Sequence, residues 1–220
     1  MGAPLGGRAV ADASQPVAHP APSRRGHGAG SVTATQPRVV ATGRLVRLRE
    51  KTIEDAERDY SWRTDQELAA YDAARPLTVR FTNFVSTMAE ELKYPTAHRR
   101  TYAIEDIDSG KHIGNVMYYG YDATQREAEI GITIGDRDFW SRGYGVDVVQ
   151  SMLGFLFEEK RLRRVYLHTL TWNYRAQKSF QRAGFERIRQ VARGGYDFIY
   201  MEATPETLAR SLLPFARDLE

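Results

Sequence analysis

Asp138-Phe139-Trp140-Ser141-Arg142-Gly143-Tyr144-Gly145-Val146 is the stretch whose reading decides the fold. A strand over Ala128 to Ile134 precedes it. The apolar run after it, to Phe157, places Val146, Val149, Leu153, Leu156 and Phe157 on one face at the helical period. Between strand and helix lies a turn with two glycines one residue apart. Glycine carries no side chain to block a ligand and tolerates positive φ, so successive N–H groups can converge on one small volume. They then meet the positive end of the helix dipole, which makes an anion seat suited to phosphate or pyrophosphate. The plainer alternative is a helix start that needed flexibility.

Spacing excludes two nucleotide motifs. A dinucleotide fingerprint needs a third small residue where Val148 stands, and a P-loop needs a Gly-Lys-Ser/Thr ending that is absent. The segment instead resembles motif A of the GNAT acetyltransferases, Gln/Arg-x-x-Gly-x-Gly/Ala, whose loop wraps the pyrophosphate of acetyl-CoA. Trp140 in the first place, followed by a basic residue and Gly-Tyr-Gly, is similar to the RimJ/RimL branch, enzymes that acetylate the N-termini of ribosomal proteins. The resemblance implies that Arg142, Gly143, Tyr144, Gly145 and Val146 bind acetyl-CoA as co-substrate.

Composition is that of an ordinary globular protein: 220 residues, 42% hydrophobic and 27% charged. The net charge is +3, and residues 1 to 37 hold Arg8, Arg24 and Arg25 against Asp12, which leaves +1 for the remainder. So small a surplus, with no basic stripe, argues against nucleic acid as the partner despite a pI near 9.1. With no cysteine, disulfides, thiolate metal sites and cysteine nucleophiles are excluded, and a cytoplasmic location is compatible. Residues 1 to 37 are rich in Ala, Pro, Gly, Ser and Arg without apolar periodicity, which predicts a disordered tail, and residues 38 to 220 form the expected domain. No segment is long and apolar enough for a signal peptide or a membrane span, and Arg24-Arg25 lacks the apolar stretch of a twin-arginine signal.

Ordered structure is expected to begin near Arg44, with a strand to Arg49. Thr52-Ile53-Glu54-Asp55 offers a capping box for a helix to about Trp62. Arg63 to Thr82 reads as a loop with a short helix, and Asn83 to Lys93 as a helix. Strands follow over Thr101 to Asp106, His112 to Tyr121 and Ala128 to Ile134, then Arg164 to Leu170 after the long helix. Phe185 to Val191 and Tyr196 to Glu202 form a hairpin around Gly194-Gly195, and Thr204-Pro205 starts a last helix.

A second stretch, Asn173 to Phe185, is a helix with Asn at its start and Gly184 at its end, with Ala176, Phe180 and Ala183 on one face. Taken alone it is an ordinary capped amphipathic helix. It also resembles motif B of the GNAT enzymes, whose Asn touches the pantetheine, and Tyr196 to Met201 resembles the closing strand of RimJ/RimL proteins. From Arg44 to Glu202 the resemblance implies an α/β (α+β) GNAT fold: a mixed, mostly antiparallel sheet with splayed central strands, flanked by helices. In that fold Ile132-Thr133-Ile134 diverges from the strand Arg164 to Leu170 and pantetheine lies in the gap, against Asn173 and Phe180.

Acetyl transfer from a thioester to an amine needs a neutral amine near the carbonyl, a stabilised oxyanion and, in some enzymes, a proton for the leaving thiolate. Glu129 is the candidate general base, with Glu127 on the same strand face and an exposed strand carboxylate as the alternative. Many GNAT enzymes carry a proton-donating Tyr seven residues after the motif B Asn, where this chain has Phe180. RimJ/RimL relatives sometimes use a Ser three residues after it, where Ala176 stands. Ser179, Tyr174, Tyr118 and water are the remaining donors. Asp65, Glu67 and Asp72 could attract an amine, but isolated carboxylates are usually only solvated.

The five histidines, His19, His27, His98, His112 and His168, show no ligand spacing, so no metal is expected. His168 reads as a hydrogen-bonded core residue. No Gly-x-Ser-x-Gly elbow is present. Two functions stand. One is an N-acetyltransferase acting on a primary amine, with a protein N-terminus first and a small amine as rival acceptor. The other, motivated by Phe180 and Ala176, is a non-catalytic acyl-CoA-binding module. A homodimer is compatible with either.

Overall fold

The computed structural model describes residues 36–216, with side chains as far as Leu213. The tail expected over residues 1 to 37 lies, except for Gln36 and Pro37, outside the described residues. Eight strands form one mixed sheet in the order β1-β2-β3-β4-β5-β6-β8-β7. They are β1 (Val39–Thr42), β2 (Val46–Glu50), β3 (Arg100–Asp106), β4 (His112–Asp122), β5 (Glu127–Ile134), β6 (Arg164–Leu170), β7 (Glu186–Arg193) and β8 (Tyr196–Ala203). The helices are α1 (Ala56–Thr64), α2 (Gln66–Tyr71), α3 (Phe81–Lys93), α4 (Tyr144–Glu158), α5 (Tyr174–Arg182) and α6 (Pro205–Ala216). Neighbouring strands are antiparallel except β5 and β6, which run parallel because α4 carries the chain back across the sheet between them. No described helix is long and apolar enough to cross a membrane.

Period-two alternation decides which side chains meet the core. On β4 and β5 the residues Val116, Tyr118, Ala128 and Ile130 are buried with Val149, Met152, Leu153 and Leu156 of α4. Asn115, Met117, Tyr119 and Glu129 face the other way, into a cleft. Tyr118 is therefore removed as a proton donor, since it is 1% exposed and sits in the core beside Tyr102.

Order begins before Arg44. Val39–Thr42 adds an edge strand, and Gly43 turns the chain where a Cβ would stand 2.3 Å from Asp147 Oδ2. That carboxylate accepts the backbone N–H groups of Arg44 (3.0 Å), Leu45 (2.8 Å) and Val46 (3.1 Å), tying the β1-β2 hairpin to the first turn of α4. The short 3₁₀ turn Ile53–Asp55 leads into α1, with the Asp55 carboxylate accepting the Thr52 N–H at 2.9 Å. A polar network seats α1 on β4: Lys51 pairs with Asp59, and Asn115 donates to Asp59 at 2.7 Å. Gly194 (φ 59°) and Gly195 (φ 82°) close the β7-β8 hairpin, the left-handed pair that a tight turn of this hand requires.

Candidate active site

The site is a consequence of one interrupted ladder. β5 and β6 pair at Glu127↔Arg164, Ala128↔Val165 and Glu129↔Tyr166, and there the register ends, while β5 stays bonded to β4 as far as Ile134. From Ile130 onward the β6-facing edge of β5 is open. A cleft of about 1700 Å³ occupies this gap and extends under α1–α3.

At its outer end lies the glycine turn. Gly143 caps α4 at φ 90°, ψ −14°, a conformation that costs a residue with a Cβ about 1 kcal/mol or more. Ser141 also takes positive φ, at 59°. Gly145 does not, and its requirement is space: a Cβ there would come within 3.3 Å of Ser179 Oγ on α5. The backbone N–H groups of Arg142, Gly143, Tyr144 and Gly145 have no acceptor among the described residues. The Val146 N–H differs from expectation, because it already donates to Gly143 O at 3.1 Å within the helix, and Val146 lines the cleft with its side chain.

Two further side chains of the turn point away from the cleft. The Arg142 guanidinium donates to Asp138 O at 3.1 Å and lines a smaller adjoining groove with Arg44 and Arg182. Tyr144 is buried, donating to Asp106 Oδ1 at 2.8 Å; burial first, then that bond, push its hydroxyl up to about 12. Tyr144→Phe is accordingly expected to cost ~1 kcal/mol, a fall of roughly 2–4 °C in melting temperature, with coenzyme A affinity unchanged in calorimetry.

The cationic groups at the cleft come instead from α5. Arg175, Lys178 and Arg182 are three and four residues apart, share one helix face and line the cleft beside Ser179. Arg175 lies with Cζ 3.7 Å from the Trp140 ring centroid and 5.1 Å from that of Tyr71. Trp140 donates from Nε1 to Ile134 O at 2.7 Å, which anchors the turn to the end of β5. Asn173 caps α5 by accepting the Ala176 N–H at 3.2 Å, so its amide NH₂ is the group left for a ligand. Phe180 lines the cleft and packs on Phe185 with ring centroids 6.0 Å apart. Ile132, Thr133 and Ile134 line it from β5. Of the remaining proton donors considered, Ser179 lines the cleft and Tyr174 is 69% exposed outside it.

Where the ladder ends, Glu129 is 7% exposed and accepts from His168 Nδ1 at 2.8 Å. His168 is thus hydrogen-bonded as expected, but it lines the cleft rather than the core. Its ring packs on Tyr200 at 5.2 Å and Phe198 at 6.1 Å. The Tyr119 hydroxyl is raised well above its ordinary value by burial, then by the charge of Glu129 and a hydrogen bond to it. Glu127, on the same strand face, is held in a structural ion pair with Arg164, which also reaches Glu202 at 2.9 Å. Asp65 and Glu67 are likewise occupied, both by Arg137, at 3.0 and 2.7 Å. Asp72 alone of the three acidic candidates lines the cleft. It accepts the Thr133 hydroxyl at 3.3 Å, and crowding by the walls raises its carboxyl against the pull of that bond and of Arg63.

Comparison with known proteins places this geometry. Residues 45–186 match the family described as acetyltransferase (GNAT) domain. An uncharacterized N-acetyltransferase, p20, of Bacillus licheniformis is 27% identical over 161 residues, spanning 70% of this chain and 89% of that protein. The fold is shared with spermidine N-acetyltransferase from Vibrio cholerae in complex with CoA and spermine: TM-score 0.66, 18% identity, 75% of this chain and 98% of the other. It is shared also with an aminoglycoside acetyltransferase in complex with coenzyme A: TM-score 0.61, 20% identity, 75% and 98%.

Proposed function

The chain belongs to the GNAT acetyltransferase family, and from that premise we propose that it moves an acetyl group from acetyl-CoA to the α-amine of a polypeptide, in the manner of the RimJ/RimL branch. The observation that carries the reading is the gap between β5 and β6, which leads from the unpartnered N–H groups of the glycine turn to Glu129. Pyrophosphate sits on those N–H groups at the positive end of α4, with Arg175, Lys178 and Arg182 adding charge. Pantetheine runs along the open edge of β5, from Ile134 past Thr133 and Ile132, with the Asn173 amide and Phe180 opposite. The thioester then lies near Glu129, where the acceptor loses its proton. Most of the acceleration comes from holding amine and carbonyl together.

The acceptor side of the cleft is a mixture of apolar and basic groups. Trp62, Leu77, Phe84 and Met88 line it with four carboxylates, Glu50, Asp59, Asp72 and Glu91, of which Glu50 is paired with Arg100 and Asp59 with Lys51, among Arg63, Arg75 and Arg99. A polycation such as spermine needs clustered carboxylates, whereas a chain end presents one ammonium followed by uncharged backbone. Full-length protein given acetyl-CoA together with an unblocked N-terminal serine peptide or spermine tests this. Release of CoA thiol, with one acetyl group gained at the peptide α-amine in preference to spermine, is the expected result. Preference for spermine makes the acceptor a small amine, and CoA binding without thiol release on any acceptor makes the protein an acyl-CoA-binding module.

Asp72 places a carboxylate 3.3 Å from the Thr133 hydroxyl at the cleft, so Asp72→Asn is expected to raise the peptide KM about 5-fold, the worth of ~1 kcal/mol, without changing CoA affinity. Since the Asp72 carboxyl is raised, its charge is present above that raised value and lost as pH falls through it. The difference between variant and parent therefore shrinks toward acid, as initial rates across pH would show.

A further inference from the structure

The acetyltransferase reading leaves one chemical requirement unmet: neither Phe180 nor Ala176 can give a proton to the departing thiolate. Tyr118 lies in the core and Tyr174 on the surface outside the cleft, and Ser179, though it lines the cleft, stands at its outer end, its Oγ 3.3 Å from where a Cβ on Gly145 would be. Resting on that reading, we propose that the proton-transfer group is the His168 imidazole, acting through Nε2 in both directions, with Glu129 as the positioning residue that orients it.

A carboxylate can only accept, so the 2.8 Å contact requires Nδ1 of His168 to carry the hydrogen and donate to Glu129 Oε1. That tautomer leaves the lone pair on Nε2, which has no hydrogen-bond partner among the described residues, on a residue lining the cleft. Glu129 is committed by comparison: 7% exposed, it already accepts from His168 and interacts with the Tyr119 hydroxyl. His168 lies two residues beyond Tyr166, the last β6 residue paired with β5, and so just inside the gap. The titratable and charged neighbours are Tyr119 from β4, Glu129 from β5, Tyr166 on β6, Tyr200 from β8, and Arg193 from β7, whose charge acts on Tyr119 and Tyr166.

The proton balance closes with this one group. An ammonium and a thioester give an amide, a thiol and one proton released to solvent. Nε2 takes the first proton from the ammonium and passes it to water. The neutral nitrogen then forms the C–N bond to the carbonyl carbon, the π electrons moving to oxygen. Nε2 takes the second proton from the nitrogen of this adduct. The electron pair on oxygen then re-forms the C=O bond as the C–S bond breaks with its electrons on sulfur, and that proton passes to the thiolate. Glu129 carries the countercharge while the ring is an imidazolium.

Two experiments on the full-length protein decide the matter. In rate measurements with acetyl-CoA and the N-terminal serine peptide, His168→Gln should lower kcat about 100-fold with acetyl-CoA affinity and melting temperature kept, and should remove the acidic limb of the kcat/KM profile. Glu129→Gln should instead keep that limb and lower kcat less than His168→Gln does, because the ring remains but loses the carboxylate that orients it. Retention of rate and limb in His168→Gln, with loss of the limb in Glu129→Gln, would make Glu129 the base and overturn the proposal. Nitrogen NMR of the His168 ring needs no acceptor: the Nδ1–H tautomer is expected, its population falling in Glu129→Leu, which leaves nothing for Nδ1–H to donate to. An Nε2–H tautomer in the parent, or a tautomer population indifferent to that substitution, overturns the assignment whatever the acceptor. If acetyl-CoA binds but the parent acetylates no amine while the NMR result holds, the acetyltransferase reading fails and takes the proposed chemistry with it, leaving only the paired geometry.

Discussion

Gly145→Val is expected to abolish acetyl-CoA binding, a loss of at least ~1000-fold or about 4 kcal/mol, in a protein that remains folded. The reason is steric. Gly145 does not adopt positive φ, so valine meets no backbone strain there. The first added carbon would already approach Ser179 Oγ at 3.3 Å, a contact the hydroxyl can relieve by rotating. The two γ carbons beyond it must then either enter the cleft, over the N–H groups that hold the pyrophosphate, or push α5 away and carry Arg175 and Lys178 with it. Either displacement removes charge-assisted bonds worth roughly 1.5–3 kcal/mol each. Gly143 makes the contrasting control. Its nearest neighbour to an added Cβ is Leu45 Cδ1 at 3.8 Å, so there is room, but φ is 90°. Gly143→Ala should therefore weaken binding through backbone strain and cost stability as well, whereas Gly145→Val should leave stability close to the parent. Calorimetry showing unchanged CoA affinity in folded Gly145→Val protein would remove the anion seat from this turn.

What could be read from the chain was what local periodicity and capping decide. α4, β6, α5 and the β7-β8 hairpin fell where alternation, Asn173, Gly184 and Gly194-Gly195 put them. β1 was not legible, because Val39–Thr42 is a half-exposed edge whose reason for existing is a carboxylate about a hundred residues away. Distance also hid the partners of isolated charges: Arg137 takes both Asp65 and Glu67, and Arg164 takes Glu127. Arg142 is adjacent in sequence to the glycines, yet its guanidinium turns outward to Asp138 O. The spacing of Arg175, Lys178 and Arg182 was visible all along; which way their helix face points is decided by the packing of α5 beside α4. The Glu129-His168 contact needed the parallel register of β5 and β6, which no local pattern in either strand contains.

Asp147→Ala should be the most damaging single change outside the cleft, lowering stability by ~4 kcal/mol and the melting temperature by about 10 °C or more. Asp147 is 7% exposed, and its two oxygens accept three backbone N–H groups from the turn between β1 and β2. Alanine leaves all three without that acceptor, at ~1–3 kcal/mol for each donor that water cannot reach. Asp147→Asn separates shape from hydrogen bonding. It fills the same space but keeps a single acceptor oxygen, and its NH₂ must face a backbone N–H, so it should fall between alanine and the parent. The same contacts answer an electrostatic question at the site. An acid in the first turn of α4, two residues after Gly145, ought to repel a phosphate seated on that turn. Here its charge is spent on three N–H dipoles from the hairpin, which turn the carboxylate away from the cleft and leave the end of the helix positive toward the anion. Thermal unfolding of the two variants checks the account; an Asp147→Ala protein melting within about 2 °C of the parent would mean that water satisfies the hairpin N–H groups and that β1 is held by something else.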